Sequence, residues 1–223
     1  MRSTSSARES PVTVAEAPAS LASALGEPYV SGRLLVGDLE QGHEITDLDL
    51  EDCRIEGSTL ELTVWRRCSL ESCTLSGVDL SRASLHDVRF SDCTLRDSKA
   101  RAVRWAGARA GGVAQRSLTV ERCRLDYGSF AGADLRGMRF TGCSLVDADL
   151  SGADCREVEF VDCTLSGAQF AGADLRGALI VGGTGLALDV RETRTLGLRV
   201  DPVSALALVQ GLGIAIVEGA PGE

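Results

Sequence analysis

From Ile45 onward a large apolar residue recurs at every fifth position: Ile45, Leu50, Ile55, Leu60, Trp65, Leu70, Leu75, Leu80, Leu85, Phe90 and Leu95. The series weakens, then resumes at Val120 and runs through Leu125, Phe130, Leu135, Phe140, Leu145, Leu150, Cys155, Phe160, Leu165, Phe170 and Leu175 to Ile180. A track of smaller residues precedes it by two positions and holds Cys53, Cys68, Cys73, Val78, Ala83, Val88, Cys93, Cys123, Ala133, Cys143, Ala148, Ala153, Cys163, Ala168 and Ala173. Glycine often follows the large residue by two, as at Gly132, Gly137, Gly152, Gly167, Gly172 and Gly177. Neither the 3.6-residue period of a helix nor the two-residue period of a strand fits this spacing. A chain that turns one small and one large side chain inward in every five residues must bend at each repeat. Such units bury their apolar side only by stacking on their neighbours, so the pattern predicts a solenoid of β-coils.

The runs Ala133-Asp134-Leu135-Arg136-Gly137 and Ala173-Asp174-Leu175-Arg176-Gly177 carry the repeat in its clearest form. In these the chain resembles the pentapeptide-repeat family, and the resemblance extends over residues 45–182. It implies an all-β solenoid, a right-handed quadrilateral β-helix with four repeats per coil. At roughly 20 residues per coil and ~4.8 Å per step, about seven coils give a rod of about 34 Å. One interior stack is then Leu50, Leu70, Phe90, Ala110, Phe130, Leu150 and Phe170. Another is Leu60, Leu80, Ala100, Val120, Phe140, Phe160 and Ile180. The same count places Cys53, Cys73 and Cys93 on one face and Cys123, Cys143 and Cys163 on the opposite one.

The ends depart from the repeat. Residues 1–27 read as a flexible tail with a short helical turn near Ser20–Leu25, and 28–44 as an N-terminal lead-in and cap. At the other end Asp201-Pro202 is an N-cap followed by proline at the first helical position. The expected organisation is a β-helix over 45–182, a last irregular coil with a capping helix and strand over 183–217, and a tail over 218–223. The helix, expected from Val203 to Gln210, is apolar on more than one face. A cap can bury only one stripe, so Val203, Leu206, Val209, Leu212, Ile214 and Ile216 are expected to form a two-fold homodimer interface.

Between Lys99 and Val120 the large positions hold Ala100, Trp105, Ala110 and Gln115, so 99–119 is either a thin coil or a projecting loop. Charge changes sign there. Residues 38–98 carry 14 acids and 6 bases, 99–124 carry 1 acid and 7 bases, and 125–180 carry 9 acids and 4 bases. The basic band, with Arg101, Arg104, Trp105, Arg109 and Arg116, is a candidate second contact for a partner. The net charge of −9 opposes direct binding of nucleic acid, whose phosphates favour basic surfaces.

Chemistry is sparse. The eight cysteines sit on interior tracks without a Cys-x-x-Cys pair, and His43 and His86 are the only imidazoles. The thiols are therefore expected to be free core residues, with no metal, no cofactor and no catalytic residue. No stretch approaches the ~20 apolar residues of a membrane span, and no export signal is evident, so a cytoplasmic protein is expected.

Within the family, the long repeat followed by Leu198-Arg199-Val200-Asp201-Pro202, an apolar helix and Gly211-Leu212-Gly213-Ile214 is similar to the quinolone-resistance, topoisomerase-protecting branch. That resemblance implies a homodimer that imitates DNA and binds DNA gyrase or topoisomerase IV, protecting it from antibiotics. Asp147, Asp149, Asp154, Glu157, Glu159 and Asp162 are the acidic residues expected to face the partner. The alternative is a protein-interaction scaffold or regulatory protein unrelated to topoisomerase.

Overall fold

The computed structural model describes residues 17–110 and 118–217. The chain winds as a right-handed quadrilateral β-solenoid of about nine turns with one short C-terminal helix. All strand pairing is parallel, and most strands are only three residues long. One face shows the stacking directly: Leu35, Ile55, Leu75, Leu95, Val120, Phe140, Phe160, Ile180 and Val200 lie one above another through their strands. In the recurring strand pattern the central side chain is buried and its two neighbours point outward. Nine rungs at ~4.8 Å make the rod about 43 Å long.

The large residues, Trp105 excepted, are followed two positions on by a turn residue in the left-handed backbone region. Glycine fills many of these corners, while Asp47, Asp92, Asp147 and Asp162 fill others. At Gly167 (φ +72°) the left-handed backbone is what favours glycine; the nearest group, the exposed Asp147 carboxylate one coil below, can move aside. Corner amides bond to the next coil, as Asp147 N–H does to the Ser166 carbonyl at 2.9 Å. Backbone pairing thus continues around the bends and leaves few buried polar groups to satisfy.

The rod is longer than the apolar period alone indicates. Regular coils begin at Tyr29–Ser31 and Leu34–Val36, ahead of the expected start at residue 45. Within the expected tail, Ala19–Ser20 pairs with Leu35–Val36, and helix α1 (Leu21–Ala24) buries Leu21 and Ala24 on the rod's end. Those side chains cover an apolar cross-section that a solenoid cannot leave open. Residues 1–16 and the expected tail 218–223 lie outside the described residues.

The degenerate segment changes the register. Leu95 pairs with Val120, a step of 25 residues where every other step from Leu35 to Val200 on that face is 20. An extra pentapeptide has been inserted, and it moves every later residue one face round the rod. Phe130 therefore lies over Trp105, with rings stacked at 5.5 Å, and Val120 lies over Leu95 instead of Ala100. Of the two interior stacks counted at 20 residues per coil, one holds up to Phe90, whose strand pairs in register with Ala110, and the other up to Ala100. The cysteine ladders shift likewise. Cys93 sits beneath Leu118, and the Cys123 ladder stands in line with Ser98, so the two ladders occupy adjacent faces, not opposite ones.

Inside, aromatic rings run along the axis. Phe140 stacks on Phe160 at 5.1 Å, and Phe130 meets Phe140 edge-on at 6.4 Å. All eight thiols are free and buried. All but Cys155 donate to backbone carbonyls, Cys143 to those of Val120 and Thr141. Burial pushes the Cys155 thiol up to about 12 and raises that of Cys68, which keeps both neutral in the core.

Helix α2 (Pro202–Gly211) follows the last coil at the other end. Asp201 is its N-cap: one carboxylate oxygen accepts from Ser204 N–H at 2.7 Å, the other from Gly182 N–H at 2.7 Å. One side chain thereby ties the helix to the coil below. The strand expected at Ile214–Val217 does not form; those residues are exposed and unpaired in any sheet.

Candidate functional site

A solenoid distributes consecutive residues around its circumference, and this rearranges every charged site read from the linear sequence. The six expected acidic residues, Asp147 to Asp162, occupy less than one coil and so encircle the rod. Asp147, Glu157 and Asp162 stand exposed on three different corners. Asp149 accepts from Ser151 N–H at 2.9 Å. Asp154 is held by Arg156 at 2.7 and 2.8 Å, and Glu159 by Arg139 at 3.2 Å. These two are already neutralised by neighbours, and the six do not form one face.

The ion pairs around Asp154 belong to a ladder. Asp134–Arg136, Asp154–Arg156 and Asp174–Arg176 repeat on successive coils, and Asp189–Arg191 repeats the same pairing on the neighbouring face. The carboxyls of Asp174 and Asp189 are held down to about 2 by the guanidiniums of Arg176 and Arg191. In both, aspartate and arginine two residues apart point outward from the same strand-like segment, which suits bidentate pairing. The C-terminal half of this face is therefore close to neutral.

The N-terminal half behaves differently. Asp49 and Glu51 flank Leu50, and Glu51 pairs in register with Glu71 on the next coil. Asp52 and Asp92 stand on the adjoining corner, two coils apart. None of these five has an ion pair among the described residues, and all lie on the rod's surface. The Tyr29 hydroxyl donates to Glu51, while Arg89 is the basic residue on the same column. This acidic face was missed because its members lie some 20 or 40 residues apart; comparing charges one coil apart finds it.

The basic band also comes apart. Trp105 is buried, 2% exposed, and stacks inside the rod, so it cannot contact a partner. Arg101 and Arg104 project from successive faces, flanking Ala100 and Trp105. Arg109 pairs through its backbone with Arg89 on yet another face, and Arg116 lies outside the described residues. A tighter basic group replaces the band: Arg82, Lys99, Arg101 and Arg124, from three coils, line one groove with Tyr127.

At the C-terminal end, Val203, Leu206, Leu212, Ile214 and Ile216 are exposed, at 72, 48, 38, 52 and 45%, and Val209 is half-buried. Ser204 is the only residue α2 buries. Among the described residues, no cluster of three or more histidine, cysteine or acidic side chains could hold a metal. No described helix is long and apolar enough to cross a membrane.

Fold and surface define a class: a repeat solenoid that presents charged faces and one apolar end. Family models for the pentapeptide repeat region match residues 43–127, and for pentapeptide repeats residues 121–154 and 143–180. The chain belongs to the pentapeptide-repeat family. The structure of a trypsin-treated variant of QnrB1, a plasmid-mediated fluoroquinolone resistance protein, is similar at 18% identity over 85% of this chain and 99% of that one, with a TM-score of 0.52. Full-length QnrB1 is 19% identical over 83% and 100%, with a TM-score of 0.44. HetL, a pentapeptide repeat protein involved in heterocyst differentiation regulation from the cyanobacterium Nostoc, is 18% identical over 77% and 86%, with a TM-score of 0.28. No curated protein matches the sequence.

Proposed function

We propose that this protein is a non-catalytic, DNA-mimicking rod that binds a type II topoisomerase, DNA gyrase or topoisomerase IV, and protects it from inhibitors. The observation that carries this reading is the acidic face of Asp49, Glu51, Asp52, Glu71 and Asp92, without an ion pair among the described residues and set one or two coil steps of ~4.8 Å apart. Duplex DNA carries one charge per ~1.7 Å, so the rod presents a sparser field of the same sign to a basic saddle. The likeness to the quinolone-resistance branch supports the choice of partner. The exposed apolar end supports a homodimer through α2 and Leu212–Val217, which doubles the length of the acidic surface.

The test is gyrase supercoiling with and without the purified protein, in the presence and absence of a fluoroquinolone. Inhibition or drug protection at stoichiometric protein is expected, and it weakens when Asp49, Glu51 and Glu71 are changed to lysine. No effect at a tenfold excess over gyrase refutes the reading. One observation favours a general interaction scaffold instead: the aspartate–arginine ladder neutralises the C-terminal half of a face that a DNA mimic would keep acidic. If gyrase is unaffected, that reading takes its place.

A further inference from the structure

The basic groove stands out against an acidic molecule. It measures about 420 Å³ and is lined by Glu61, Asp79, Ser81, Arg82, Lys99, Arg101, Arg124 and Tyr127. That volume falls in the range of small-molecule sites. Four cations face two lining carboxylates, and they are weakly engaged. Lys99 reaches Asp79 only at 3.6 Å, and Arg101 reaches Asp126 only at 3.9 Å. Arg82 and Arg124 have no ion pair among the described residues. Elsewhere arginines close on carboxylates at 2.6–2.7 Å, as Arg67 does on Asp47 and Arg176 on Asp174. Asp126 itself accepts from the Ser144 hydroxyl and from Val146 N–H, which draws its charge away from the groove.

Tyr127 adds a second recognition element. It occupies a corner at φ 60°, is 55% exposed, and has the Arg101 guanidinium 5.6 Å from its ring centroid. An exposed ring beside several cations offers a stacking surface next to an anion site. Glu61 and Asp79 border the cations on the N-terminal side, and on the C-terminal side the column continues as Ser144, Thr164 and Thr184, so the positive patch is only a few coils long and suits a short, multiply charged ligand.

We propose that this groove binds the phosphates of a small phosphorylated ligand through Arg82, Lys99 and Arg124, with Tyr127 stacking on a nucleobase. The site does not depend on the topoisomerase reading. Calorimetric titration of the full chain at low salt with pyrophosphate, adenosine diphosphate and adenosine tests it. Both phosphorylated probes are expected to bind and adenosine is not. Arg124→Gln and Arg82→Gln each weaken binding about tenfold, as expected for loss of a charge-assisted contact. Tyr127→Ala weakens the nucleotide about fivefold and leaves pyrophosphate unchanged. All three side chains are exposed, so the variants fold, and circular dichroism confirms it. Absence of binding by either phosphate overturns the site, as does an equal loss in Arg54→Gln, an exposed arginine on another face. Equal affinity for the two phosphates with no effect of Tyr127→Ala overturns the nucleobase contact.

Discussion

Trp105 is the one described residue with a buried side-chain donor lacking a partner: its indole Nε1–H bonds to nothing. Two coils below on the same face, Trp65 donates the equivalent proton to Thr63 Oγ1 at 3.0 Å, and Thr63 in turn donates to the Leu60 carbonyl at 2.7 Å. The position matching Thr63 is Val103, equally buried, and the position matching Leu60 is Ala100. Val103→Thr should therefore supply both the missing acceptor and a carbonyl for its own hydroxyl. A buried unsatisfied donor costs about 1–3 kcal/mol, and a typical hydrogen bond contributes about 1 kcal/mol net. Replacing a methyl by a bonded hydroxyl loses part of that, since a buried CH₂ is worth ~0.8 kcal/mol. A net gain of about 1 kcal/mol is expected. Urea unfolding followed by circular dichroism reads it as a higher midpoint at unchanged slope, and in melting as a rise of about 2–4 °C. Thr63→Val is the reciprocal experiment and should cost about 1–3 kcal/mol by stranding Trp65. If Val103→Thr gives no gain while Thr63→Val is neutral, the indole protons do not matter to this core and the argument fails.

Leu206→Asp with Val209→Asp should convert the protein to a monomer in light scattering without loss of β-structure; a wild-type monomer at micromolar concentration refutes the dimer. Gly107→Ala should destabilise by more than about 1 kcal/mol, the usual strain of overpacking, because a Cβ there collides with the Leu85 carbonyl and comes within 2.9 Å of His86 Cα; an unchanged urea midpoint would contradict that packing. Asp174 and Asp189 titrate at about 2 in the folded state, below the ordinary carboxylate near 4, so their contribution is present above pH ~4 and lost as the pH falls toward 2. Urea midpoints at pH 5 and pH 2.5 should differ, and Arg176→Gln should shrink the difference. Thiol titration after denaturation should recover all eight cysteines; fewer would mean that the ladders cross-link.

The repeat and its inward residues were legible in the sequence alone, and the coil type came through the family resemblance that those residues carry. A five-residue alternation of large and small apolar side chains is a local signal, readable at Leu135 or Leu175 without knowing what lies beside them. The helix cap was legible for the same reason, since Asp201 and Pro202 act on their own helix. What closes a coil is not local. An inserted pentapeptide leaves the period of five intact, so nothing in the spacing distinguishes Leu95 over Val120 from Ala100 over Val120; only strand pairing decides. The charged sites depended on that decision. Asp154 looked free until Arg156 and Arg136 stood around it, and Trp105 looked like a contact until Phe130 covered it. The acidic face of Glu51 and Glu71, and the groove of Arg82, Lys99 and Arg124, exist because a rung of backbone hydrogen bonds brings residues 20 or 25 apart to within one coil step. Side-chain neighbours on a solenoid are set by closure of the coil, and closure is a property of the tertiary structure.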